Sequence, residues 1–130
     1  MLKLHNLSRV YLTDDVETLA LNNVNIEIGQ GEFVAIMGPS GCGKSTLLNT
    51  IGMLDTPSSG MYQFDGEDIS DYSEAQLSVI RKQSIGFIFQ NFNLIDELTV
   101  EENIELALLY HNIGASDRKQ RVLEVMDKVG

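Results

Sequence analysis

The sequence predicts an α/β fold, in which short buried strands alternate with helices that cover a sheet. Three observations predict it. Residues 33–37 and 85–89 are short apolar runs, which are typical of buried strands. Residues 44–51 and 73–82 have the spacing and composition of helices. A glycine-rich turn at residues 38–43 joins the first apolar run directly to the first helix.

Length and composition place limits on what the chain is. Its 130 residues suit one domain, and 43% hydrophobic with 22% charged residues is a soluble globular balance. Acidic residues outnumber basic ones 19 to 9, which gives a formal charge of −10. Nucleic acids and anionic membranes attract clustered lysine and arginine, so the sequence predicts no nucleic-acid partner. No apolar run approaches a membrane span and the N-terminus lacks a signal-peptide core, which makes the cytosol the expected compartment.

The N-terminal segment predicts antiparallel β structure over residues 1–32. Residues 2–7 alternate as a first strand, and the polar residues 13–18 are typical of a hairpin connection. Residues 21–28 alternate again, with Val24, Ile26 and Ile28 on one face. A turn at residues 29–32 then leads into the apolar run at 33–37.

Residues 38–45 match G-x-x-x-x-G-K-[ST], the phosphate-binding P-loop. A helix N-terminus offers unpaired N–H groups and partial positive charge, and glycines let a loop wrap closely around an anion. Lys44 is expected to reach the β- and γ-phosphates, Ser45 to ligate Mg²⁺ and Thr46 to donate to the α-phosphate. The sequence therefore predicts a nucleoside triphosphate site. Its residues are Gly38, Pro39, Ser40, Gly41, Cys42, Gly43, Lys44, Ser45 and Thr46.

The second half of the chain predicts one more buried strand and three helices. A break at residues 55–60 precedes a strand at 61–64 with a tight turn, and then the helix at 73–82. The apolar run at 85–89 leads to Gln90. Thr99-Val-Glu-Glu is a capping box, which predicts a helix from Val100 to about His111, and a last helix is expected to start at residues 114–116.

These residues closely resemble the nucleotide-binding subunit of ATP-binding-cassette (ABC) transporters, in particular the subgroup that serves macrolide export and lipoprotein release. The resemblance covers the whole chain. It implies a P-loop NTPase core of the ABC ATPase type at residues 33–90, an N-terminal antiparallel β subdomain, and truncation at the start of the helical subdomain (residues 91–130). The residues that carry it are Tyr11 and those at 31–41, 44–49, 54–60 and 85–94.

The resemblance also implies roles and partners. Tyr11 looks like the aromatic residue that stacks on adenine, and Gln90 like the residue that touches Mg²⁺ and the attacking water. ATP and Mg²⁺ are the implied ligands, with Lys44 and Gln90 as catalytic residues and Ser45 and Gln90 at the metal. Residues 91–99 are expected to face a membrane permease. A second copy is expected in a head-to-tail dimer of the full-length protein, at the inner face of the cell membrane.

Three motifs of the family are absent from the chain: the Leu-Ser-Gly-Gly-Gln signature, the acidic Walker B strand with its catalytic glutamate, and the switch histidine. Residues 92–97 mimic an acidic strand, but Asn93 interrupts the apolar run, so a loop is predicted there. Without these parts we expect negligible turnover by the 130-residue chain, and a segment that needs more chain or a partner for stability.

Two other classes remain open. One is a nucleotide-binding fragment without catalysis. The other is a P-loop ATPase or GTPase outside transport, although the Asn-Lys-x-Asp motif that reads guanine does not occur, and neither a coiled-coil insertion nor the basic patches of a DNA-repair ATPase are visible.

Overall fold

The computed structural model describes residues 1–111 and 113–130. They form two compact units, Met1–Ile85 and Gly86–Gly130. Asn112, within the region predicted over residues 91–130, lies outside the described residues.

The first unit is built on a four-stranded antiparallel sheet in the order β2-β1-β3-β4. Strands β1 (Leu2–Thr13) and β2 (Val16–Ile28) form a long hairpin. Strand β3 (Ser59–Phe64) pairs with the other edge of β1, and β4 (Glu67–Asp68) pairs with β3. The predicted N-terminal hairpin is confirmed, and its strands are longer than the alternating segments of the sequence.

A bulge near Asn6 keeps the leucines of β1 on the core face. Leu2 and Leu4 are buried, but Leu7, also buried, has the opposite parity in a regular strand. The register against β2 shifts between Leu4 and Leu7, and Asn6 adopts a left-handed φ of 48°. The side chain of Asn25 accepts a hydrogen bond from the Asn6 amide at 2.9 Å. The bulge thus absorbs one residue and returns Leu7 to the core.

Helices α1 (Lys44–Ile51) and α2 (Glu74–Ser84) complete the first unit, close to their predicted positions. The Tyr62 hydroxyl donates to the Ile51 carbonyl at 2.6 Å, which ties β3 to the end of α1. Burial raises the pKa of Tyr62 above its ordinary value, so the donor stays protonated. The buried core consists of Leu2, Leu4, Leu7, Leu21, Leu47, Met53, Tyr62, Ile69 and Leu77.

The prediction of buried strands at residues 33–37 and 85–89 is wrong for this structure. Neither segment is a strand, and Phe33, Met37 and Ile88 are almost fully exposed. A buried strand is held by hydrogen bonds to neighbouring strands. Within residues 1–111 and 113–130, no strand pairs with either segment. Their apolar composition alone therefore does not order them as strands.

The second unit consists of an irregular segment followed by helices α3 (Val100–Leu109) and α4 (Ala115–Val129). Val122 of α4 is buried, and Arg118 pairs with Glu105 of α3 at 2.6 Å. The predicted capping box is confirmed, and residues 92–97 form a loop, as predicted. Among the helices in the described part of the chain, none combines the length and apolarity needed to span a membrane.

Candidate nucleotide-binding site

Gly43 closes the glycine-rich loop against the sheet. It is the N-cap of α1 and has a φ of +90°, in the left-handed region that favours glycine. A Cβ at this position would lie 2.5 Å from the carbonyl oxygen of Ala20 on β2. At Gly38, a Cβ would lie 2.8 Å from the Sγ of Cys42. At Gly43 the obstacle is backbone, so this position leaves no room for a side chain and the loop packs directly on β2, whereas the Cys42 side chain beside Gly38 can move.

The first turn of α1 presents backbone amides at the end of the loop. The Leu47 amide donates to the Gly43 carbonyl at 2.8 Å, and the amides of Lys44, Ser45 and Thr46 precede that first intrahelical bond. The helix is held in place by its buried side, which contains Leu47 and Thr50. A fixed helix N-terminus of this kind attracts an anion through its amides and its partial positive charge.

The Lys44 ammonium is held on the loop itself. Its Nζ donates to the carbonyl oxygens of Gly38 at 2.9 Å and Pro39 at 2.7 Å. The Sγ of Cys42, which is exposed, lies 3.7 Å from the same nitrogen. These contacts place a full positive charge beside the free amides of α1 and restrict the flexible lysine stem. The cation therefore lies on the glycine-rich loop, next to the first turn of α1.

Two residues with hydroxyl groups, Ser45 and Thr46, follow Lys44 directly. Ser45 is exposed and Thr46 is half-buried in the first turn of α1. A serine hydroxyl is a hard oxygen donor, of the kind that ligates Mg²⁺ together with phosphate oxygens. The described residues contain no cluster of three histidine, cysteine, aspartate or glutamate side chains that would hold a metal by itself. Within the loop, Ser45 is the residue that would hold such an ion.

Tyr11 lies near the end of β1 and belongs to a cluster that the sequence did not predict. The guanidinium carbon of Arg9 lies 4.6 Å from the centre of the Tyr11 ring. Arg9 also binds the Asp55 carboxylate, with Nη2 2.6 Å from Oδ1 and Nε 3.1 Å from Oδ2. The Tyr11 hydroxyl donates to the same Oδ2. Arg9, Tyr11 and Asp55 are called the Tyr11 cluster below.

The sequence itself indicates that Arg9 is a neighbour of Tyr11. Arg9 and Tyr11 are two residues apart on one strand, which places both side chains on the same face. Asp55 is 44 residues from Tyr11 in the chain and only tertiary structure brings it there. Sequence reasoning therefore had a route to Arg9 but none to Asp55.

Gln90 belongs to the second unit, where it is exposed in an irregular segment. The strand that was predicted to present it is not formed. Just before it, the rings of Phe87 and Phe89 stack with centroids 5.6 Å apart. The structure thus leaves the proposed contact of Gln90 with magnesium as a prediction.

Asn103 organises the loop at residues 91–99. Its side-chain nitrogen lies 3.1 Å from the carbonyl oxygens of Ile95 and Leu98 and 3.0 Å from that of Thr99, while its Oδ1 accepts from the Ile95 amide at 2.8 Å. An apolar groove of about 360 Å³ lies beside these bonds. Its apolar lining comes from Leu94, Ile95, Leu98, Val100 and Ile104.

Comparison with known proteins identifies relatives along the whole chain. Residues 21–130 match the family described as ABC transporter. The chain is 45% identical over 130 residues to the uncharacterized ABC transporter ATP-binding protein YknY of Bacillus subtilis, covering 100% of this chain and 56% of YknY. The macrolide export ATP-binding/permease protein MacB of Campylobacter fetus is 42% identical over 130 residues, which are 20% of its length.

A solved structure gives the same result at the level of the fold. The dimeric ATP-binding cassette MJ0796, bound to ADP and Pi in a post-hydrolysis state, is 46% identical with a TM-score of 0.86. The match covers 95% of this chain and 55% of the cassette, and MJ0796 comes from Methanocaldococcus jannaschii. The predicted ABC ATPase type of fold is confirmed, and the chain spans little more than half the length of YknY and MJ0796. It belongs to the ABC transporter family.

Proposed function

We propose that this chain binds Mg²⁺ and ATP at residues 38–46 and forms the nucleotide-binding part of an ATPase subunit that drives a separate membrane permease. One observation carries the proposal: the Lys44 ammonium is fixed on the loop carbonyls of Gly38 and Pro39 beside the free amides of α1. The ADP and Pi in the related MJ0796 cassette support a nucleotide as the ligand.

Each residue of the loop has a defined part in binding. The amides at the start of α1 donate to phosphate oxygens, and the Lys44 ammonium neutralises charge on the β- and γ-phosphates. Ser45 would hold the magnesium ion, and Gln90 is the residue we propose for the same ion and for the attacking water. Magnesium, when bound, neutralises charge on the transferred phosphoryl group. Tyr11 stacks on the adenine ring, which accounts for an aromatic residue at the exposed end of β1.

Hydrolysis needs more residues than this chain provides. Lys44 and Gln90 contribute charge neutralisation and water positioning, but the sequence lacks the Walker B glutamate, the signature and the switch histidine. A general base and a γ-phosphate clamp each contribute orders of magnitude to the rate. We therefore expect the 130-residue chain to bind Mg-ATP with negligible turnover.

The second unit and the relatives support two proposed partners. Residues 91–99 and the apolar groove beside Asn103 form the permease contact, at the inner face of the membrane. MacB carries an ATP-binding part and a permease part in one protein, which supports such a pairing. A second copy of the full-length subunit would complete a head-to-tail dimer, in line with the dimeric MJ0796 cassette.

The proposal is tested by the binding of a fluorescent ATP analogue with Mg²⁺ to the purified protein. Lys44→Ala removes a charged donor, so the affinity falls by about tenfold or more. Lys3→Gln is the matched control, since Lys3 pairs with Glu27 across the same hairpin at 2.8 Å and takes no part in the loop. Equal affinities of Lys44→Ala and the unchanged protein would contradict the proposal.

A second measurement separates the two remaining functions. A nucleotide-binding segment without catalysis and an ATPase subunit bind ATP alike, but only the subunit releases phosphate when the full-length protein is assayed. The names of the relatives favour transport over the P-loop ATPases of other processes.

A further inference from the structure

We infer that Arg9 and Asp55 are positioning residues that hold the Tyr11 ring for the adenine base and so set the preference of the site for a nucleotide over a bare triphosphate. This inference rests on the proposed function, and it concerns residues that take no part in phosphate binding. It begins with the geometry of the Tyr11 cluster.

The cluster fixes the tyrosine ring at its face and at its hydroxyl. The guanidinium of Arg9 lies over the ring at 4.6 Å, and Asp55 accepts a hydrogen bond from the Tyr11 hydroxyl. The same carboxylate holds Arg9 through two nitrogens, which is the fork geometry that only arginine offers. The three side chains of the cluster thus restrict one another's movement, and the Tyr11 ring has little freedom to rotate.

Part of Tyr11 is accessible to a base. Arg9 lies over one face of the ring, and 37% of the residue's surface is exposed. A flat aromatic surface of this kind binds bases by stacking, and a ring that is already fixed loses less entropy when the base arrives.

The charges in the cluster exclude a different role for Arg9. An arginine in a nucleotide-binding domain is an obvious candidate for a phosphate ligand. Here its fork is occupied by Asp55, and both side chains are largely buried, at 23% and 17% exposure. The pair is neutral overall, so it adds no attraction for a phosphate. The Arg9–Asp55 pair therefore acts on the position of the Tyr11 ring.

The cluster is also tied to the phosphate loop by the fold. Asp55 follows α1, and its amide donates to the Asn49 carbonyl near the end of that helix. On the other side, Tyr11 pairs with Thr18 of β2, and Ala20, whose carbonyl meets Gly43, lies two residues farther along. The same hairpin therefore carries both Tyr11 and the carbonyl that meets Gly43, which puts the proposed base site and the phosphate loop on one sheet.

The test compares two ligands, Mg-ATP and magnesium tripolyphosphate, by calorimetry on the purified protein. Asp55→Asn and Arg9→Lys should each weaken ATP binding by about three- to tenfold, a part of what base stacking contributes, and leave tripolyphosphate binding unchanged. Tyr11→Ala removes the ring, so it gives the largest loss of ATP affinity that base stacking can account for. Lys3→Gln is the control for losing an ion pair across β1 and β2, and should change neither affinity.

The outcomes are distinct. Equal losses for ATP and tripolyphosphate in Arg9→Lys would show a general structural role and overturn the inference, as would unchanged ATP affinity in both variants. If Asp55→Asn does not fold, as judged by circular dichroism, Arg9→Lys decides alone, because it keeps the charge. The proposed function is judged separately by Lys44→Ala, which should weaken both ligands.

Discussion

Gly43 meets two structural requirements, a left-handed backbone conformation and a close contact with β2. Its φ of +90° turns the chain from the loop into α1, and the absence of a side chain lets the Ala20 carbonyl approach. Gly41 has a similar φ of +80°, but nothing lies within 4 Å of a Cβ built there. A substitution at Gly41 thus meets only the backbone conformation, whereas one at Gly43 also meets a steric contact.

This pair predicts unequal effects of two identical substitutions. Gly41→Ala carries only the conformational cost of a left-handed alanine, about 1–2 kcal/mol in the free energy of unfolding. Gly43→Ala carries that cost and also pushes α1 away from β2, so it should destabilise the protein more and weaken ATP binding. Chemical denaturation of both variants measures this difference. Equal losses of stability would contradict the close contact with Ala20.

Cys42 offers a chemical probe of the same loop. Its sulfur is exposed and lies 3.7 Å from the Lys44 ammonium. A triphosphate bound around Lys44 would cover it. We expect iodoacetamide to label Cys42 in the free protein and to label it much more slowly in the presence of Mg-ATP, with mass spectrometry as the measurement. Labelling at the same rate in both conditions would place the ligand elsewhere.

At the scale of elements, local chemistry predicts some structures well and others not at all. The start of α1 and the Thr99 cap of α3 depend on neighbours in sequence, and both were predictable. A strand at residues 33–37 depends on distant partners that would pair with it, and composition contains no information about them. The same limit applies to the site, where the loop residues were predictable but Asp55, the partner of Tyr11, was not.

The cap of α3 predicts a pH dependence. The backbone amide and the hydroxyl of Thr99 both donate to the Glu102 carboxylate, and these bonds lower the pKa of Glu102 below its ordinary value. Because the folded pKa is lower than the unfolded one, the stabilisation is complete above the unfolded pKa. It is lost as the pH falls through the lowered folded pKa.

Carbon NMR of the Glu102 carboxyl group during an acid titration tests this directly. Glu102 should titrate at a lower pH than an ordinary glutamate. Glu102→Gln keeps an acceptor for the Thr99 amide but cannot titrate, so the acid loss of α3 stability should become shallower. Glu101→Gln, one residue earlier, is the control. A Glu102 that titrates in the ordinary range would contradict the charged cap.

For the whole molecule, the distribution of apolar surface is informative. The groove beside Asn103 is open and apolar on a chain with a formal charge of −10. The hydrogen bonds of Asn103 hold its wall in shape without a partner. A preformed apolar surface reduces the cost of ordering when a partner binds. This arrangement supports the proposed permease contact, as the family membership does.

That contact predicts where the full-length protein is found in fractionated cells. Leu94→Glu puts a charge into the groove, so the protein should shift from the membrane fraction to the soluble fraction while its ATP affinity stays unchanged. Leu123→Glu, on the exposed part of α4, is the control for adding a charge to an exposed leucine. A membrane share that is the same for both variants would contradict the docking of a permease at this groove.

The central claim is that the amides at the start of α1 and the Lys44 ammonium hold a triphosphate. Amide NMR spectra with and without Mg-ATP test it most directly. We predict the largest shifts at Gly43, Lys44, Ser45 and Thr46, the residues at the helix N-terminus. Unchanged amides at these four positions, with Mg-ATP binding demonstrated in the same sample, would contradict the claim.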